Sequence, residues 1–129
     1  MIVVGLILAV LAGLIHVYIF WLESVAWTST RARAVFGMTA AQAEQTRQLA
    51  FNQGFYNLFL AVAACAGIVV WVFGAQTVGV TLAFTGTAMM LAASLVLFSS
   101  APDKRSAATT QGLVPLLAIV ALIVGLAVA

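Results

Sequence analysis

Charge is the scarcest commodity in this chain. Of its 129 residues only 6% are charged, three acidic and five basic. A soluble domain carries about 25% because it has to cover its surface with hydrated groups. A water-soluble globule is therefore excluded. The five bases fall in two short stretches and form no stripe, which excludes a nucleic-acid interface. A single cysteine, Cys65, leaves no disulfide within the chain and no C-x-x-C. It lies in an apolar run and reads as a small packed residue. A single histidine excludes H-E-x-x-H, and neither a nucleophile elbow nor a phosphate loop is present. No cofactor motif stands out, so the cofactor stays unassigned. The opening "MIVVGLILAV" has no basic residue before it, and its apolar run is longer than a signal-peptide core. It is expected to stay as a membrane helix.

What fills the chain is hydrocarbon: 65% of residues are hydrophobic, and the mean hydropathy is +1.22. Crossing a bilayer core takes about 20 apolar residues, and four segments meet or approach that length. They are expected near 2–26, 52–73, 78–98 and 112–129, in a single transmembrane domain over 1–129. Pro115 would then stand in the first turn of the last span, where a missing N–H matters little. "GAQT", residues 74–77, is short enough to force a hairpin. The other two connections carry all the bases: Arg31, Arg33 and Arg47 in one, Lys104 and Arg105 in the other. The positive-inside rule makes these long loops cytoplasmic and puts both termini outside. The expected fold is an all-α membrane protein, a four-transmembrane-helix antiparallel bundle. Within the first loop, "MTAAQAEQTRQLAF" predicts a helix capped by Thr39 and able to run on into the second span. "SSAPDKRSAATTQG" reads as turn chemistry.

Against this background the polar residues at membrane depth stand out. His16 and Glu23 are two turns apart, roughly 10.5 Å along the axis and within about 20° of one stripe. They are too far apart to share a metal ion, whose ligand bonds are about 2 Å long. Asn52, Gln53, Tyr56 and Asn57 open the second span within an arc of about 140°. The two polar faces lie at the same level, and packing them together keeps both from lipid. Two readings follow. In one the cluster is interhelical glue, with Glu23 free to reach the interface. In the other, His16, Glu23, Asn52, Gln53, Tyr56 and Asn57 form a cytoplasm-facing site for a headgroup, a small molecule or a proton, because an acid with an imidazole suits a proton relay. Thr77, Thr81 and Thr85 on the third span read as packing residues whose hydroxyls bond their own helix. Trp21, Trp27 and Trp71 lie where an aromatic belt belongs.

The string H-x-x-I-F-x-L-E from His16 to Glu23, with Trp27 and Phe36–Gly37 after it, resembles a family of small bacterial four-helix membrane proteins classed as a domain of unknown function. The likeness continues through A-x-N-Q-G-x-Y-N at Ala50–Asn57 and Q-G-x-x-P at Gln111–Pro115. It covers nearly the whole chain and implies a multi-pass protein of the bacterial cytoplasmic (inner) membrane. A remoter likeness, through Arg47, Asn52, Tyr56 and "LFLA", is to the trimeric glutathione and eicosanoid membrane enzymes. Phe55 stands where that family has a glutamate. Four helices can hardly enclose a large cavity while hiding every polar face, so a homo-oligomer bathed in membrane lipids is expected. Two function classes stay open: a component that binds or passes a lipid, small lipophilic ligand or proton, and a small membrane enzyme using Glu23 or His16 as acid–base with Tyr56 polarising its substrate.

Overall fold

The structure, a computed structural model, describes residues 1–128. Those residues are helical almost throughout and contain no strand. Helix α1 (Ile2–Phe20) passes directly into a π-helical turn, Trp21–Val25. A short α2 (Thr30–Phe36) follows, then α3 (Ala40–Val72), α4 (Gln76–Ser100), a 3-10 turn at Pro102–Lys104 and α5 (Arg105–Ala127). Four helical stretches are long and apolar enough to cross a membrane: Ile2–Val25, Ala40–Val72, Gln76–Ser100 and Pro102–Ala127.

The four long helices form an antiparallel ring in which α1 and α4 sit on opposite corners, each flanked by α3 and α5. Their contact faces are built from small residues. On α3 the buried positions are Ala43, Ala50, Gly54, Asn57, Ala61, Ala64 and Gly67, spaced three or four residues apart from Ala50 onward. Where α3 crosses α4, Gly67 and Gly79 bring the two backbones together. A Cβ on Gly67 would stand 2.6 Å from the Gly79 carbonyl oxygen. Between lipid tails and leucine there is no hydrophobic driving force, so such close backbone approach is what brings membrane helices together. Large apolar side chains such as Leu14, Phe59, Val69 and Leu117 point outward instead.

The two basic connections meet at one end of the ring. Ser29 caps α2 by accepting from the Ala32 N–H at 3.2 Å, and Gly37 ends it with φ 62°. Thr39 caps α3 in a reciprocal box: its hydroxyl accepts from the Gln42 N–H (3.2 Å), and the Gln42 side chain accepts from the Thr39 N–H (2.9 Å). The helix it starts runs unbroken into the span. Replacing Thr39 with alanine is expected to lower stability by about 1 kcal/mol. It would speed amide exchange in the first turns of α3 while leaving exchange beyond Asn57 unchanged. Equal protection in wild type and variant would show that the cap does not hold this end.

The second basic connection differs from its expected form. Residues 105–111 are helical, so α5 starts early and Pro115 is its eleventh residue, well inside the helix. The reason lies in the hydroxyls. Thr109 and Thr110 donate to the carbonyls of Arg105 and Ser106 at 2.9 and 3.0 Å, which lets a Ser/Thr-rich stretch stay helical. Pro115 has no N–H to donate to the Gln111 carbonyl four residues earlier, so the helix lacks that one internal bond.

Candidate functional site

The π turn aims the one buried acidic side chain among the described residues, Glu23. The Ala26 N–H donates to the Trp21 carbonyl at 2.9 Å, five residues back, and Leu22 and Glu23 both turn inward. Such single wide turns recur where a helix has to present a side chain differently from its neighbours. The turn is seated on Gly54 of α3. A Cβ there would meet the Ser24 hydroxyl, lie 3.0 Å from the Ser24 nitrogen and 3.1 Å from the Glu23 Cβ. Ser24 fastens the seat by donating to the Phe51 carbonyl at 2.8 Å.

One turn further on, Asn57 donates from Nδ2 to Glu23 Oε2 at 2.7 Å and to the Gln53 carbonyl at 3.2 Å. Glu23 is 8% and Asn57 6% exposed. Among the described residues the ion pairs are Arg47–Glu44 and Lys104–Asp103, so Glu23 has no cationic partner. His16, 1% exposed, lies deeper on α1, its Nδ1 2.9 Å from the Ala12 carbonyl. A carbonyl only accepts, so Nδ1 carries the hydrogen, and in the neutral ring Nε2 is left with the lone pair.

His16, Glu23, Gln53 and Asn57 line one chamber of about 420 Å³, together with Lys104 and Gln111. Phe36 of α2 and Ala93, Val96 and Leu97 of α4 supply its apolar wall. All four long helices contribute. The volume is within the range of small-molecule sites, about 300–1,000 Å³. Polar groups therefore converge from several directions: a carboxylate, an imidazole, amides, and the Lys104 ammonium, which donates to the Phe36 carbonyl at 2.8 Å. Gly112 lets α5 close the chamber beside Ser94, whose Cβ would be 2.9 Å from a Cβ at that position. Beneath His16 the bundle is packed solid by Ala12, Ala61, Ala64 and Met90.

Two residues of the expected cluster lie elsewhere. Asn52 is exposed, and Tyr56 is 60% exposed. Both line an outer hollow of about 400 Å³ with Trp27, Gln53 and the far side of Glu23. A second outer hollow, about 550 Å³, joins Glu23 and Trp27 to Glu44 and Arg47 at the polar tip of α3. Trp27 is held between these hollows by its indole N–H, which donates to Thr46 Oγ1 at 3.0 Å. Glu23 is thus the wall between an inner chamber and two outer ones. Among the described residues no three His, Cys, Asp or Glu side chains gather into a metal-binding group.

Phe36, Lys104 and Gln111 are chamber residues that periodicity does not find, since each comes from a separate element. A signal for two of them was present: Phe36 and Gln111 each stand directly before a glycine in the strings singled out above.

An all-helical bundle of four membrane-length helices, with an acid and an imidazole enclosed at one end, defines the molecule as a multi-pass membrane protein. Within that class the chain belongs to the DUF1304 family, described as protein of unknown function, whose pattern matches residues 10–123. No curated protein and no solved structure matches the chain.

Proposed function

We propose that the protein binds one small polar molecule, or the polar end of an amphiphile, in the chamber between His16 and Lys104. The observation that carries this reading is Glu23: a buried carboxylate with one amide partner and no cation, facing a cavity large enough for a ligand. Helix glue does not require empty space beside it. The ligand would carry both a hydrogen-bond donor, for Glu23 or His16 Nε2, and an acceptor for Lys104 or the Gln53 amide. The packed alanines and Met90 below His16 favour a site entered from one side over a path through the membrane.

By the distribution of bases that side is the cytoplasm, and the membrane is the bacterial cytoplasmic one. The outward Asn52 and Tyr56, at the mouth of the span, suit contact with a second copy, so the working form is a homo-oligomer. The enzymatic alternative, acting on a glutathione-like or lipophilic substrate, needs Tyr56 beside the reacting group. Its position on the outer hollow gives that alternative no support.

Native mass spectrometry of wild type beside Glu23→Gln tests the reading. Glutamine keeps an oxygen for the Asn57 amide, so the structural bond survives while the charge is lost. Wild type is expected to retain a small molecule per chain that the variant holds about 10- to 100-fold more weakly, the worth of a charge-assisted hydrogen bond. Identical bare species from both proteins would leave the cluster as glue.

A further inference from the structure

A groove separate from the chamber runs along the outside of the bundle between α1, α2 and α5, with a volume of about 410 Å³. Ile15, Ile19, Leu22 and Val35 make its α1 and α2 side apolar, Arg31 and Tyr18 stand at its polar margin, and α5 contributes the more polar Ser106, Thr110 and Gln111. Arg31 Nε donates to the Tyr18 hydroxyl at 2.9 Å, which fixes the guanidinium beside the groove. That bond uses one of five N–H groups. Among the described residues Arg31 makes no ion pair, and no acidic side chain lines the groove. The two exposed acids near this end, Glu44 and Asp103, sit beside Arg47 and Lys104. Tyr18 also stacks on Trp21, ring centroids 6.0 Å apart, as residues of an interfacial belt do. An apolar wall thus ends at an uncompensated, pre-aimed cation at the level where lipid headgroups lie.

We infer that this groove seats one anionic membrane phospholipid, its acyl chain on Ile15, Ile19 and Leu22 and its headgroup on Arg31. The charge complementarity selects the lipid: an anionic headgroup neutralises the guanidinium, and a zwitterionic one leaves its own cation beside it. The inference does not rest on the chamber, whose Glu23 and His16 take no part in it. Phe36 and Gln111 line both spaces, so an occupant of the groove would lie against the chamber's outer wall.

The test uses the full chain in nanodiscs of equal phosphatidylglycerol and phosphatidylcholine, followed by stepwise delipidation in native mass spectrometry. The last lipid retained per chain is expected to be phosphatidylglycerol. Arg31→Gln, a change at an exposed position, should lower the retained phosphatidylglycerol-to-phosphatidylcholine ratio about fivefold. Ala34→Phe, which fills the groove from an exposed position, should release both lipids alike while circular dichroism stays unchanged. Three results would overturn the inference: a wild-type ratio equal to that of the nanodisc, a ratio unaffected by Arg31→Gln, or a free fatty acid in place of phospholipid. Retention of the chamber ligand is read in the same spectra, so the two proposals stand or fall separately.

Discussion

Gly67→Ala should destabilise the bundle by about 1–3 kcal/mol, the usual cost of forcing an extra carbon into a full interior. The new Cβ would stand 2.6 Å from the Gly79 carbonyl oxygen and closer still to the Ala83 nitrogen. Both neighbours are backbone, so neither can rotate away as a side chain end would. The helices have to separate, and every contact along the α3–α4 seam loosens with them. Gly79→Ala meets the same obstacle from the other side, with the Trp71 nitrogen and Cβ at 2.5 Å. Because one separation relieves both clashes, the double variant should lose less than the sum of the two singles. Unfolding in dodecylmaltoside by added dodecyl sulfate, followed by far-UV circular dichroism, measures all three. Single variants within 0.5 kcal/mol of wild type, roughly the spread of harmless surface changes, would mean that the seam is not closed by backbone contact.

Asn57→Asp is the second large effect, and it bears on the site. The amide that donates 2.7 Å to Glu23 would become a carboxyl group, so that two buried acids face one another: with both ionised an acceptor faces an acceptor, and one shared proton relieves the repulsion. The cost expected is up to about 3–5 kcal/mol at alkaline pH, where both acids are ionised, and less in acid, where one holds a proton. Asn57→Ala should cost far less. Hydrogen bonds between membrane helices average about 0.6 kcal/mol, and the adjoining chamber has room for water to replace the lost donor. The contrast between the two variants therefore matters more than either value. If aspartate proved no worse than alanine in the same detergent titration at alkaline pH as well as in acid, Glu23 and Asn57 would not face one another.

The helical bundle was legible because the bilayer imposes a simple rule on the sequence: long apolar runs, interrupted by polar connections. The stripe from His16 to Glu23 was legible for the same reason, since both line the chamber. The arc of Asn52, Gln53, Tyr56 and Asn57 was ambiguous because a wheel shows which residues are neighbours but not which edge of the arc faces inward. Small residues decide that edge. Ala50, Gly54 and Ala61 mark the face that approaches α1, and Asn57 lies on it whereas Tyr56 does not. The π turn left no trace in periodicity, and Lys104 and Gln111 were hidden in a stretch read as a turn. Its hydroxyls satisfy themselves along the helix, which composition does not reveal.

The small-residue faces have a thermodynamic consequence. Glycine and alanine have no side-chain rotamers to freeze, whereas burying a long side chain forfeits up to about 2 kcal/mol of conformational entropy. Gly5, Ala9, Ala12 and Gly13 on α1 and Ala108, Gly112, Ala118 and Gly125 on α5 therefore enter the interior almost free of that penalty. Most of the long aliphatic side chains face the lipid and keep their disorder there. The bundle can consequently cohere on modest van der Waals contact, with little ordering to offset. Leu6, Leu22, Val80 and Leu122 are exceptions, as are His16, Glu23, Asn57 and Met90, and the disorder that the last four surrender falls around the chamber and the packed layer beneath it.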